Sequence, residues 1–222
     1  MPSPRSAAAP RTARTPRVRR PDARPGELLE AALDLFVEKG YAATRVEQVA
    51  ARAGVSKGTL FLYFASKEEL FKAVAHENLA SRFGGWNAEF ETFQGSASDM
   101  LRHCLQTWWH HVGATKASGI TKLIMSEAHN FPEIARYYQT EVVDPGTALI
   151  QRILRHGIAR GEFRAVDTDY AIYSVSSTIL YLITWKHAKG ACARSTGPFV
   201  PEHYIDTQVD ILLNGLCRVP CA

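Results

Sequence analysis

Cysteine is scarce. Cys104, Cys192, Cys217 and Cys221 are the four in 222 residues, and their spacing fits no metal finger. Thiols so placed are expected to stay reduced in a cytoplasmic protein. Long apolar runs are missing too. The longest uncharged stretch, Tyr170 to Trp185, has 16 residues and includes Ser174, Ser176, Ser177, Thr178 and Thr184. A membrane span needs about 20 apolar residues. The stretch is therefore expected to be a buried helix, with no membrane as partner, and no signal-peptide core is present. Period-two alternation is absent, which leaves no sheet to propose. Nucleophile elbow, phosphate loop and paired-carboxylate motif are all absent, so neither an enzyme nor a cofactor is expected.

His103, Cys104, His110 and His111 come nearest to a metal site. His103–His110 and Cys104–His111 are each seven apart, roughly 10 Å along a helix. Zinc–ligand bonds are about 2.1–2.3 Å, so neither pair clamps one ion and no metal is expected.

An excess of one charge is also missing from the folded body. The net charge is +4, yet residues 1–24 hold seven Arg against one Asp, and residues 25–81 hold six basic residues against eight acidic. Any affinity for nucleic acid must come from a few placed cations or from the tail. That tail, 1–24, carries five Pro and almost no apolar bulk, so it cannot form a core and is expected to be disordered. It reads either as an arm for DNA phosphates or a minor groove, or as an inert solvated leader. Its prolines oppose the amphipathic helix of a transit peptide.

What is present is dense helix punctuation between residues 25 and 81. Leu28, Leu29, Ala32, Leu33, Phe36 and Val37 form an apolar stripe that stops at Gly40. Thr44 with Glu47 reads as a capping box. Val46, Val49, Ala50 and Ala53 follow on one helical face, then Gly54 in a position suited to positive φ. Ser56 can cap a short helix with Leu60 and Phe64 inward. Ser66 with Glu69 reads as a second capping box, ahead of Leu70, Phe71, Val74 and Ala75. Two helices joined by about three residues including a glycine make a helix-turn-helix. Three helices of this size can share one small core, with the fourth leading away.

This segment resembles the N-terminal domain of the TetR/AcrR family of bacterial transcriptional regulators. The resemblance rests on Leu35 to Tyr41, Thr44, Val49 to Ser56, Lys57-Gly58-Thr59-Leu60, Phe64 and Ser66 to Phe71, and covers roughly residues 25–80. Two departures stand out where Phe61-Leu62-Tyr63 replaces the family's usual Tyr-Tyr-His: Phe61 lacks a hydroxyl for phosphate and is expected to pack against sugar or protein, and Leu62 is apolar where the family is usually aromatic. Candidate DNA contacts are Thr44, Arg45 and Ser56, then Lys57, Gly58, Thr59, Leu62 and Tyr63, then Lys67. Lys57 suits a phosphate or a base edge, or is a solvated lysine. Gly58 lets a backbone come close to DNA, or serves a tight helix crossing. Thr59 can hydrogen-bond a base or meet a thymine methyl. Arg45 and Lys67 stand in first helical turns, where phosphate is favoured. Tyr63 offers a phenol to phosphate, or covers the domain's edge.

Beyond residue 81 the chain stays helical without a further motif, so residues 82–222 are expected to form a second domain. Breaks are expected at Gly84-Gly85, Gly95-Ser96, Lys116 to Gly119, Asn130 to Pro132, Asp144-Pro145-Gly146, Gly161 and 190–201. Helices are expected near 97–114, 118–129, 132–143, 146–160, 168–189 and 202–217. Trp86, Phe90, Trp108, Trp109, Met125, Phe131 and Tyr173 are candidates for a ligand pocket, although aromatics at helical spacing are also ordinary core. Tyr173, Leu180 and Ile183, with Ile205, Val209, Leu212 and Leu216, are candidates for a dimer interface. Two helices from each copy would make a four-helix bundle; alternatively both bury within one subunit. A short recognition helix reads few bases, and a dimer reads two half-sites. The family implies the same dimer and an effector held in the second domain. The resulting expectation is an all-α homodimeric regulator of operator DNA, a repressor released by a small organic effector. An activator, a ligand-independent regulator, or an aromatic-ligand carrier or enzyme with a vestigial DNA-binding domain are the alternatives.

Overall fold

The computed structural model describes residues 25–188 and 198–216. The Arg-rich tail, Cys192, Cys217 and Cys221 lie outside them. Among the described residues there is no strand; eleven helices follow in order. They are α1 (Pro25–Ala43), α2 (Val46–Arg52), α3 (Lys57–Tyr63), α4 (Lys67–Ala75), α5 (Arg82–Thr92), α6 (Ala97–Trp108), α7 (Ser118–Glu127), α8 (Pro132–Tyr138), α9 (Asp144–Ala159), α10 (Thr168–His187) and α11 (Pro201–Leu216). Among the described residues no helix is long and apolar enough to cross a membrane.

Local punctuation sets the first four helices. α1 is interrupted at Gly40, whose φ of 85° suits a residue without Cβ. Ala53 closes α2 and Gly54 follows with φ 75°. Ser56 Oγ accepts the Thr59 N–H at 3.0 Å, and Ser66 Oγ accepts the Glu69 N–H at 3.1 Å. Glu69 does not complete a capping box; its carboxylate meets Lys72.

The expected capping box at Thr44 is absent. Arg45 is the N-cap of α2, and Gln48 reaches back to its N–H at 3.4 Å. Thr44 is 1% exposed, and its hydroxyl is shared by the carbonyls of Gly40 (2.7 Å) and Leu35 (3.1 Å). Both carbonyls lie near the break in α1, within reach of the side chain.

Two expected breaks are helical. α5 runs through Gly84-Gly85 because Phe83, Trp86 and Phe90 hold its other face, while both glycines look into open space. At Asp144-Pro145-Gly146 the chain passes from α8 to α9 through a wide π-type turn, Gln139–Val143. There the Asp144 N–H donates to Gln139, five residues back. The turn lets a proline lacking an N–H enter a continuous helical path. Similar wide turns at His76–Ala80 and Trp109–Gly113 extend α4 and α6.

Two apolar clusters result. One joins α1–α4 to α7 and α8, with Leu28, Leu35, Phe36, Val49, Leu60 and Phe71 packed beside Ile120, Leu123 and Ile134. The other joins α6, α9, α10 and α11. α1 is buried on a broader arc than its own stripe predicts, Leu35 included, because α7 covers it from behind. Gly119 marks that crossing: a Cβ there would overlap Val37. Lys116 adds an ion pair to Asp34 of α1 at 2.6 Å.

Candidate DNA-reading face and effector cavity

α3 buries one side chain, Leu60, and presents the rest. Leu62 is 84% exposed, and Phe61 and Tyr63 are exposed beside it. Lys57 reaches back to Glu47 of α2 at 2.6 Å and lies 5.6 Å from the Phe61 ring centre. The ammonium holds the Glu47 carboxyl below the usual carboxylate range. This pair is solvent-exposed, so a phosphate can compete for the lysine at small cost. Thr59 shares a hydrogen bond with the Ser56 hydroxyl at 2.8 Å. A Cβ on Gly58 would meet Ser56 Oγ at 3.7 Å, an ordinary contact. No helix crossing therefore demands that glycine. Arg45, the N-cap of α2, is exposed.

Two candidates turn inward. Thr44 is buried as described. Lys67 donates to the carbonyls of Tyr41 (2.9 Å), Thr44 (3.2 Å) and Ala42 (3.4 Å), and covers the Tyr41 ring at 4.4 Å. Burial lowers its pKa from the ordinary lysine value. Its three protons are committed to the end of α1, which removes it from the phosphate-facing set. Sequence spacing placed it in a first turn but could not show the open carbonyls opposite.

In the larger domain α5 to α10 line a cavity of about 490 Å³ that opens to the surface beside Met125, Tyr173 and Leu180. Of the candidate pocket residues, Trp86, Trp108, Met125 and Tyr173 are among its lining. Three other candidates are not. Phe90 faces a small neighbouring pocket and carries Arg152 at 4.3 Å over its ring. Trp109 is buried, and its Nε1–H donates to Glu202 of α11 at 2.9 Å. Phe131 packs edge-on to Tyr41 at 4.7 Å, under the helix-turn-helix. Further lining comes from Phe83, Ile150, Ile172, Ile179 and Leu180, among others. Among the lining residues there is no Asp, Glu, Lys, Arg or His. The polar groups are few: Thr121 and Tyr138, hydroxyl to hydroxyl at 2.7 Å, with Gln139, Thr147 and Ser176. Burial pushes the Tyr138 phenol up to about 12, so it remains a neutral donor. Burial likewise pushes the Cys104 thiol to about 12, which withholds the reactive thiolate. Nothing in the sequence links Thr121 to Tyr138, because the pair is made by two helices packing.

The candidate dimer residues also divide. Ile183, Ile205 and Val209 are buried within the single chain, and Leu212 is half-buried. α10 and α11 pack on α6 and α9 in the same chain, which consumes that face. Leu216 ends α11, and its side chain lies outside the described residues. Tyr173, 65% exposed, and Leu180 remain at the surface. With Tyr170, Ser177, Tyr181 and Thr184 they form an exposed uncharged stripe at three- and four-residue spacing.

A helix-turn-helix mounted on a larger helical domain with an apolar cavity defines a class: DNA-binding regulators with a built-in sensor. The comparisons agree. Residues 28–74 match the model of bacterial regulatory proteins of the tetR family, and residues 94–194 match a tetracyclin repressor-like C-terminal domain. The transcriptional activator FasR of Mycolicibacterium smegmatis is 43% identical over 200 residues, covering 90% of this chain and 85% of that protein. The transcriptional repressor KstR2 of Rhodococcus jostii is 26% identical over 192 residues, covering 86% and 89%. The solved structure of Bacillus subtilis FadR in complex with stearoyl-CoA has a TM-score of 0.71 at 19% identity, covering 86% of this chain and 99% of that one. The chain belongs to the TetR family of bacterial transcriptional regulators.

Proposed function

We propose that two copies of this chain read a two-fold operator, each placing α3 in a major groove, and that an elongated apolar effector in the cavity releases them. Lys57, Gly58, Thr59, Leu62 and Tyr63 form the reading surface, with Arg45 and Ser56 on the backbone side. The exposed stripe of α10 meets its counterpart in the second copy, setting the recognition helices about 34–36 Å apart.

The observation that carries the effector class is the lining. A cavity of about 490 Å³ is within the size range of small-molecule sites. With no ionisable carboxylate, amine or imidazole among its lining residues, it gains little from a charged ligand and much from hydrocarbon. The Thr121–Tyr138 hydroxyls supply one point of orientation. An acyl chain fits this chemistry, and FadR, a neighbour in fold, was solved with stearoyl-CoA. A second reading concerns the sign of regulation. FasR, at 43% identity, is an activator, so effector-controlled activation by the same geometry is the alternative to repression.

Trp86 and Trp108 on the cavity wall provide the test. Stearoyl-CoA is expected to change tryptophan fluorescence saturably and to alter affinity for duplex DNA selected by the protein. A flat fluorescence titration would sink the acyl assignment. Sedimentation of the unliganded protein as a monomer would sink the dimer.

A further inference from the structure

α7 has two working faces. One lines the cavity through Thr121, Ile124 and Met125, with Ala128 just past its end. The other crosses α1 at Gly119. Its last residue, Glu127, reaches out of the sensor domain into the helix-turn-helix domain. Its Oε1 accepts the Tyr41 N–H at 2.7 Å, and its Oε2 accepts the Ala42 N–H at 2.9 Å. Gly40 makes room for it: φ is +85°, and a Cβ there would fall on Glu127 Oε1.

The Tyr41–Ala42 peptide is therefore held at both ends. Its carbonyl accepts from Lys67 of α4 at 2.9 Å, and its N–H donates to Glu127 of α7. Two ionised groups on two helices grip one peptide plane through charge-assisted bonds, which tolerate little change of angle or distance. Apolar contacts around it are less directional. The Tyr41 ring meets Phe71 of α4 at 5.5 Å and Phe131, beyond α7, at 4.7 Å. Thr44 and the N-cap of α2 follow within four residues. A shift of this peptide is passed directly to the helix that supports α3.

We propose that Glu127 is the positioning residue that carries cavity occupancy to the DNA-reading helix. When the cavity wall moves, α7 takes the Tyr41–Ala42 peptide with it, and α2 and α3 follow. The inference rests on reading the cavity as the effector site, but its test uses no effector. Ala135→Phe, on the opposite wall in α8, places a ring in the cavity. In the otherwise unchanged full-length chain it is expected to shift affinity for a selected duplex about tenfold, within the usual span of coupling between sites. In a Glu127→Ala background the same change is expected to shift it less than about twofold, and Glu127→Gln, which keeps one acceptor, to restore part of the response. Additive effects, or no response to Ala135→Phe, would overturn the proposal.

Amide exchange gives an arm independent of DNA. Exchange at Tyr41 and Ala42 is expected to accelerate about tenfold in Glu127→Ala, while amides within α10 keep their protection. Unchanged exchange at those two amides, or uniform loss of protection from a merely weakened fold, would also overturn it. If stearoyl-CoA leaves the fluorescence flat while the Ala135→Phe response still depends on Glu127, the acyl reading fails and the linkage stands.

Discussion

In α3 one residue of seven is buried, and six are left at the surface on a two-turn helix. In the cavity-bearing domain the polar residues that matter, Thr121 and Tyr138, are turned inward and bonded to each other. The two regions aim their polar side chains in opposite directions. In α3 they face outward over a rigid support, Leu60 locked among Phe36, Val49 and Phe71. In the sensor they face a space that packing leaves unfilled. A DNA surface must be pre-formed and rigid, whereas a sensor must have slack that a ligand removes. The wide turn Gln139–Val143 supplies part of that space, with Gln139, Val142 and Val143 in the cavity wall.

The comparison can be broken at its rigid end first. Leu60→Ala removes the anchor of α3 and is expected to cost about 2–5 kcal/mol, read in denaturant unfolding, with operator binding lost alongside. An equally stable variant would show that α3 is not held from beneath. Thr44→Val leaves two carbonyls short of a donor and is expected to cost about 1–3 kcal/mol without altering the salt dependence of DNA binding; a change in salt dependence would restore Thr44 to the DNA face.

Lys57 and Lys67 sharpen the contrast between an outward and an inward cation. Lys57→Ala is expected to weaken operator binding and to flatten the log–log salt slope by about 0.9 per lost phosphate contact. Lys67→Ala is expected to lower the melting temperature and leave that slope alone; the reverse pattern would invert both assignments. Gly58→Ala separates folding from reading more finely. It is expected to raise stability by roughly 0.5–1 kcal/mol, since glycine inside a helix costs that much, while lowering operator affinity because, on the proposed docking, the new methyl would meet the DNA. A gain in both would deny the close approach.

The smallest effect lies in the sensor. Burial, then Lys186 and Lys122, lower the pKa of His187 from its ordinary 6.5. The unfolded chain therefore takes the proton more readily. This contribution to stability is complete above the ordinary value and is lost as pH falls below it. Melting curves at about pH 7.5 and about pH 5.5 are expected to show a larger acid-side loss in the parent than in His187→Gln. Equal losses would remove His187 from the account.

The legible parts were those made within a few residues. Ser56, Gly40 and Gly54 act over three or four positions and stand as their spacing predicts, while Ser66 caps α4 without the return bond from Glu69. Thr44 misleads because a hydroxyl ahead of a helix has two local choices, and the broken end of α1 offered the better one. Gly84-Gly85 and Pro145 mislead because breaker residues state a local cost, while Phe83, Trp86 and the wide turn before Pro145 settle whether it is borne. Half-readable too was the candidate dimer face. Apolar spacing on α10 and α11 identified helices that must be covered, but one chain already covers Ile183, Ile205 and Val209.

By itself the sequence determined the helix-turn-helix, because caps, glycine turns and one apolar stripe are short-range and nearly independent of context. It also indicated that α3 would carry Lys57, Gly58, Thr59, Leu62 and Tyr63 outward, since Leu60 and Phe64, four apart, claim the inward face. The tertiary structure decided the rest. It drew Lys67 and Thr44 inward, assembled a cavity from six helices and set Glu127 against Tyr41, 86 residues away. Such pairings depend on how helices cross, and no spacing along one chain records that.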